Sequence, residues 1–183
     1  MMNIVHRRAV RNAKRCAFTG YRPQKMPFGF DETDPRCIEF KARLFATIEY
    51  LIGKGYGHFL SGGALGMDLF AAEAVLELRK KYPWIVLEMV SPFDGQSVRW
   101  EAEYKIRHAI LFAEADIVTA TGYKFDKTCM FRRNRYLVNN ADLVLAAYDG
   151  QPGGTAMVVD YAQKMDVPVC LIAPTVKLLS EVC

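Results

Sequence analysis

The feature that most narrows the possible folds is an alternation that runs the length of the chain. Six short apolar runs, CAFTG (16–20), HFLSG (58–62), WIVLEMVSP (84–92), DIVTAT (116–121), ADLVLAAY (141–148) and PVCLIA (168–173), are separated by longer segments of mixed polarity. Short runs that are apolar throughout read as strands buried on both faces, and LVLAA and VCLIA are the clearest. The segments between them carry helical signals over 35–54, 64–82, 97–115, 129–140 and 153–165. In the first, Asp34 is placed to cap and Pro35 takes the first helical position, with Gly53 and Gly55 near the end. Lys80 and Lys81 fall in the last turn of the second and complement its dipole. Ser97, with Glu101 and Glu103 nearby, marks the start of the third.

Strands alternating with helices predict an α/β, Rossmann-like three-layer fold, with a mostly parallel sheet and helices on both faces. With 183 residues the chain is long enough for one domain with a sizeable core. No fixed-period repeat or low-complexity segment divides it, so one domain is expected over 16–183. No apolar run approaches the roughly 18 to 20 residues of a membrane-spanning helix, and residues 1–15 show no apolar signal region.

The formal charge of +4 is unevenly placed. Arg7, Arg8, Arg11, Lys14 and Arg15 stand in residues 1–15 with no acid among them; without those five, residues 16–183 carry −1. The expectation is a flexible basic tail on a nearly neutral body. Such a tail either meets nucleic acid or an anionic surface, or is simply a solvated terminus. Five cysteines, Cys16, Cys37, Cys129, Cys170 and Cys183, form an odd count with no C-x-x-C pair. This points to a reduced, cytoplasmic protein without a disulfide frame. His6, His58 and His108 are scattered, so no metal site is expected.

In an open α/β sheet, ligands bind beyond the carboxyl ends of the strands. Here those ends read TGYRP, SGGALGMD, SPFDGQ and DGQPGGT. Two of them run paired glycines straight into a helix, where free N–H groups and the dipole accept phosphate. Gly62, Gly63 and Gly66 belong to the first, with Ser61 as a hydroxyl donor and Asp68 following. Gly153 and Gly154 belong to the second, with Thr155. Either pair also suits a bare tight turn. The spacing is neither G-x-G-x-x-G nor a Walker A sequence. Gly20, Tyr21 and Arg22 close the first strand and offer a ring for a base and a cation. Arg132, Arg133 and Arg135 crowd around Asn134, either as a solvated helix face or with one guanidinium turned into the crevice. Trp100 and Tyr104, four apart, read as a packing pair.

These motifs resemble the SLOG superfamily. M-x-x-R-N (Met130, Arg133, Asn134), then ADLVLA, then P-G-G, is similar to the LOG-type phosphoribohydrolases of cytokinin riboside monophosphates. R-N-R with SGGALGMD resembles the DNA-processing protein DprA. TGYRP, SGGALGMD, SPFDGQ followed by Trp100, and the last GGT helix look nearest to the YpsA-like bacterial proteins. The resemblance spans about residues 16–174. It implies a pocket for a nucleotide or nucleotide derivative, with Arg133, Gly153 and Gly154 matching functional positions. Where the LOG motif has glycine, threonine and glutamate, this chain has Ala156, Met157 and Asp160, which puts hydrolysis in doubt.

The first functional expectation is a nucleotide-binding sensor or regulatory module that requires no further cofactor. A second is cleavage of the N-glycosidic bond of a nucleoside monophosphate, with Arg133 and Asp160 catalytic. A third is single-stranded DNA binding of the DprA type, which the near-neutral body disfavours. Pairing of two copies into a homodimer is implied by the resemblance alone, and no membrane partner is expected.

Overall fold

A computed structural model describes residues 12–174. Six strands, β1 (Lys14–Gly20), β2 (Tyr56–Ser61), β3 (Val86–Ser91), β4 (Ile117–Ala120), β5 (Leu143–Ala147) and β6 (Val169–Ile172), alternate with five α-helices. These are α1 (Pro35–Gly53), α2 (Met67–Lys81), α3 (Ala102–Glu114), α4 (Cys129–Asn139) and α5 (Gly154–Lys164), with a short 3-10 turn at Pro23–Lys25. All five strand pairings are parallel, in the order β4-β3-β2-β1-β5-β6. The chain therefore steps outward from β1 to β4, then returns to the other side of β1. That return makes a topological switch point between β1 and β5.

The strand residues divide between two cores. Cys16 and Phe18 of β1, Leu87 and Met89 of β3, and Leu145 and Ala147 of β5 pack with buried residues of α1, α2 and α3. The alternate residues face α4 and α5. Val144 and Ala146 pack with Val138, Val158, Val159 and Ala162, while Ala17, Leu60 and Val90 pack with Leu137. Two buried faces explain why the central strands read as continuous apolar runs. Asp34 caps α1 by accepting from the Arg36 N–H at 2.8 Å, and Pro35 stands at its first position.

The third helix begins later than its sequence predicts. Ser97 and Trp100 lie in turns, and α3 starts at Ala102 after Glu101. The Gln96 amide donates to the Gly62 carbonyl at 3.1 Å, which ties this stretch to the end of β2 instead. Trp100 meets His108 edge-on, and Tyr104 packs against Phe30, so the two rings do not form a pair. Lys14 and Arg15, counted with the tail by charge, belong to β1; residues 1–11 of that tail lie outside the described residues. Cys16, Cys37 and Cys129 are free and buried, as small apolar residues would be. Cys170 is disulfide-bonded, which corrects the expectation of a fully reduced set. No sequence spacing marks that bond, and the core is built from apolar burial rather than from cross-links.

One charge breaks the apolar pattern of β3. Glu88 is 2% exposed on the α4 side of the sheet. Its carboxylate accepts from Arg15 Nη2 (3.1 Å), His58 Nε2 (2.7 Å), Thr119 Oγ1 (2.8 Å) and Tyr136 Oη (2.8 Å). It thereby joins β1, β2, β4 and α4 to β3. Burial pushes its pKa up, but the hydrogen bonds from His58, Thr119 and Tyr136 more than reverse this and hold it at about 2, against an ordinary 4.5. A folded-state pKa below the unfolded one adds stability above pH 4.5, and that stability is lost as pH falls toward 2. The contribution is on the order of 3 kcal/mol. Glu88→Gln should lower stability at pH 7 by that order, and its urea midpoint should vary less than the wild type's between pH 4.5 and 2.

Candidate functional site

A cleft of about 330 Å³ opens over the carboxyl ends of β1 and β5, at the switch point. Gly20, Tyr21, Arg22, Asp68, Arg133, Asn134, Gly154 and Thr155, all candidates from sequence, line it. Gln24 and Lys25 join them from the turn after β1. Sequence reasoning passed over both; the signal available was their position just after TGYRP, at a strand end.

The floor is an ion pair. Arg133 Nη1 donates to Asp68 Oδ2 at 3.1 Å, and both side chains are 6% exposed. Burial raises the Asp68 pKa above the ordinary aspartate value, and the Arg133 charge and the Ala64 N–H oppose that rise. The pair leaves one edge of the guanidinium without an oxygen acceptor. Nε is buried with no hydrogen-bond partner, and Nη2 reaches only the Met130 sulfur at 3.8 Å. An Nε–Nη2 edge binds two oxygens of a phosphate or carboxylate side by side. The three arginines of the R-R-N-R run thus have three separate fates. Arg132 is exposed and pairs with Asp126 at 2.7 Å, Arg133 is buried, and Arg135 lies between the rings of Phe131 and Tyr161.

The two glycine-rich turns also part company. In the turn that leads into α2, several donors are taken up by protein atoms. Gly63 N donates to Ser61 Oγ (3.2 Å), Ala64 N to Asp68 Oδ2 (3.3 Å) and Met67 N to the Tyr21 carbonyl (3.3 Å). The glycines there are surrounded by protein. A Cβ on Gly62 would fall 1.3 Å from Arg133 Nη1, and one on Gly66, at φ +86°, would fall 2.5 Å from the Tyr21 carbonyl. Ser61 is fully buried, with its hydroxyl donated to the Asp68 carbonyl at 2.9 Å. Ser61, Gly62, Gly63 and Gly66 do not line the cleft; they shape a turn that holds Asp68 under Arg133.

At the start of α5 the donors are open. No side chain caps the helix, and its first internal bond runs from Met157 N to the Gly153 carbonyl. The N–H groups of Gly154, Thr155 and Ala156 have no partner among the described residues, as the first turn of an uncapped helix requires. Lys25 Nζ donates to the Pro152 carbonyl, and a Cβ on Gly153 would lie 2.7 Å from it. A backbone at φ +146° favours glycine there.

Tyr21 takes a different place from the base-stacking one its sequence position implies. It is 2% exposed. Its hydroxyl donates to Asp149 Oδ1 and accepts from Gln151 N at 3.1 Å, which clamps the loop after β5. Burial raises its pKa, and the bond to Asp149 adds to that. Asp160 is exposed on α5 and absent from the cleft lining. Among the described residues no cluster of three or more metal-ligating side chains occurs, and no helix is long and apolar enough to cross a membrane.

The family model described as the YspA SLOG family, YpsA, matches residues 16–175. A UPF0398 protein of Bacillus pumilus is 30% identical over 163 residues, covering 87% of each chain. The SPbeta prophage-derived protein YoqJ of Bacillus subtilis is 33% identical over 144 residues, covering 72% of this chain and 84% of its own. Among solved structures, DNA processing protein A of Helicobacter pylori, described for its single-stranded DNA binding mode, superposes with a TM-score of 0.62 at 21% identity. That match covers 92% of this chain and 68% of the other. DNA processing protein A of Streptococcus pneumoniae gives 0.63 at 17% identity, over 89% of this chain and about half of its own (51%). At these identities the likeness is one of fold.

The buried pair has a measurable consequence. Removing one partner strands a buried charge, so Asp68→Ala and Arg133→Ala should each cost about 3 to 5 kcal/mol in urea unfolding. The double variant Asp68→Leu/Arg133→Met, apolar at both positions, should lose less than either single change.

Proposed function

Because the chain belongs to the YpsA family of SLOG proteins, we propose that it binds a nucleotide or nucleotide-derived small molecule at the switch-point cleft, as a sensor or regulatory module. The observation that carries this is the pairing of two unfilled donor sets across one cleft. Gly154 and Thr155, whose N–H groups have no partner among the described residues, line the same cleft as Arg133, whose Nε has none either. Arg22, whose guanidinium makes no hydrogen bond to the described residues, and Lys25 add positive charge at the rim. A phosphate group satisfies such a set at once, since it carries the charge and enough oxygens to meet the helix start and the guanidinium together.

Cleavage of an N-glycosidic bond is less well supported. The one acid on α5 that the LOG resemblance makes catalytic, Asp160, sits on an exposed strip with Met157 and Lys164, outside the cleft. A carboxylate must reach the reacting atoms to stabilise charge or position water. Single-stranded DNA, the ligand named for the Helicobacter protein, is best treated as an arm of the binding test, because residues 16–183 carry a formal charge near zero.

The test is a thermal-shift and calorimetric series with AMP, ADP, ADP-ribose, NAD and a short deoxyoligonucleotide. A ligand at a hundred times its Kd adds about 2.7 kcal/mol, a rise in Tm of roughly 5 to 10 °C for a domain of this size. Thr155→Val removes one hydroxyl at nearly constant volume and should weaken the binding ligand about tenfold. Binding of none of AMP, ADP, ADP-ribose or NAD by folded protein would refute the proposal.

A further inference from the structure

A nucleotide has an anionic end and an aromatic end, and the cleft as described seats only the first. Tyr21 is not available to stack a base, being buried, clamped through its hydroxyl and approached by Lys25 Nζ 5.7 Å from its ring centre. A second depression, about 240 Å³, runs between α4 and α5 and shares Met130, Asn134 and Gly154 with the cleft. Its other walls come from Phe131, Met157, Val158 and Tyr161, with Lys127 and Arg135 at its edge.

The groove is apolar at a surface where apolar side chains are costly. Phe131 is 46% and Met157 is 58% exposed. Its far wall is fixed. The Arg135 guanidinium lies 5.5 Å from the Phe131 ring centre and 5.2 Å from that of Tyr161, and the Tyr161 hydroxyl donates to Asn139 Oδ1 at 2.9 Å. Met130 and Met157 supply thioethers, which adapt their shape and pack well against aromatic rings. Asn134 brings an amide to the shared rim, able both to donate to and to accept from a base edge.

We propose that the groove between α4 and α5 holds the nucleobase of the bound nucleotide, an inference that rests on the binding reading above. Continuity argues for it. Gly154 borders both spaces, and Met157 and Val158 lie one helical turn beyond it, ~5.4 Å along the axis. A ribose bridges a gap of that size between a phosphate and a base. The recognition is by flat apolar contact, so larger rings gain more, and purine nucleotides bind more tightly than pyrimidine ones.

The experiment compares AMP, CMP and ribose 5-phosphate by calorimetry, on the wild type and on Phe131→Ala/Met157→Ala. Both changed residues are surface-exposed and neutral, so the anion seat keeps its charge, and retained ribose 5-phosphate binding reports a folded chain. The wild type should bind AMP at least tenfold more tightly than ribose 5-phosphate, with CMP between them. The double variant should lose about tenfold for AMP and nothing for ribose 5-phosphate. Equal affinities for AMP and ribose 5-phosphate in the wild type would overturn the inference while leaving the phosphate seat intact. A wild-type preference for AMP that survives the double change would also overturn it and would place the base elsewhere. Failure of all three compounds to bind the wild type would remove the underlying reading as well.

Discussion

The buried Asp68–Arg133 pair is the contact on which the site's geometry depends. α2 lies on one face of the sheet and α4 on the other, and the pair joins them over the carboxyl ends of the strands. Two charges out of water are costly, and only close partners offset that cost. The surrounding sequence is shaped to provide them. Gly62 leaves space for the guanidinium, Ser61 fastens the Asp68 backbone, and Ala64 N gives the carboxylate a second donor. With Nη1 held in this way, the remaining edge of Arg133 has a fixed direction before any ligand arrives. A donor set that needs no reorganisation binds more tightly than one that must be ordered.

Two turns that look alike in sequence divide the labour. SGGALG and PGGT both carry paired glycines between a strand and a helix. The first uses its glycines to admit protein atoms, and the second leaves its helix start open. Composition does not separate the two roles. What stands against each glycine does: protein atoms crowd Gly62 and Gly66, while Gly154 borders the cleft with nothing within 4 Å of a Cβ.

The same limit sets how far the sequence could be read. Element order, the parallel sheet, the cap at Asp34 and the place of the site follow from local patterns, because period and punctuation are properties of adjacent residues. Gly154 and Thr155 were found because they sit at a helix start after a strand end, and Arg133 and Asn134 because a basic run inside α4 stands out. What escaped were relations across the chain. Nothing local says that Arg133 meets Asp68, 65 positions away, or that Tyr21 turns inward to Asp149, 128 positions away. Ser97 looked like a helix start because its neighbours are acidic, yet Gln96 is held by a carbonyl of another loop. Glu88 did leave a mark. A lone acid inside WIVLEMVSP contradicts a strand buried on both faces, and such a contradiction signals a buried network.

The strand order also bears on how the chain is made. β1 lies inside the sheet, but its partner β5 is encoded far downstream; Arg15 and Asp142, bonded across that junction, are 127 residues apart. At a synthesis rate of about 5 to 20 residues per second, β1 waits on the order of ten seconds for its second neighbour to emerge. Through that interval one edge of an apolar strand stands unpaired, the condition that invites wrong pairing between nascent chains. The cleft takes its residues from both sides of the same junction, so it comes into being only when the chain through Thr155 has left the ribosome.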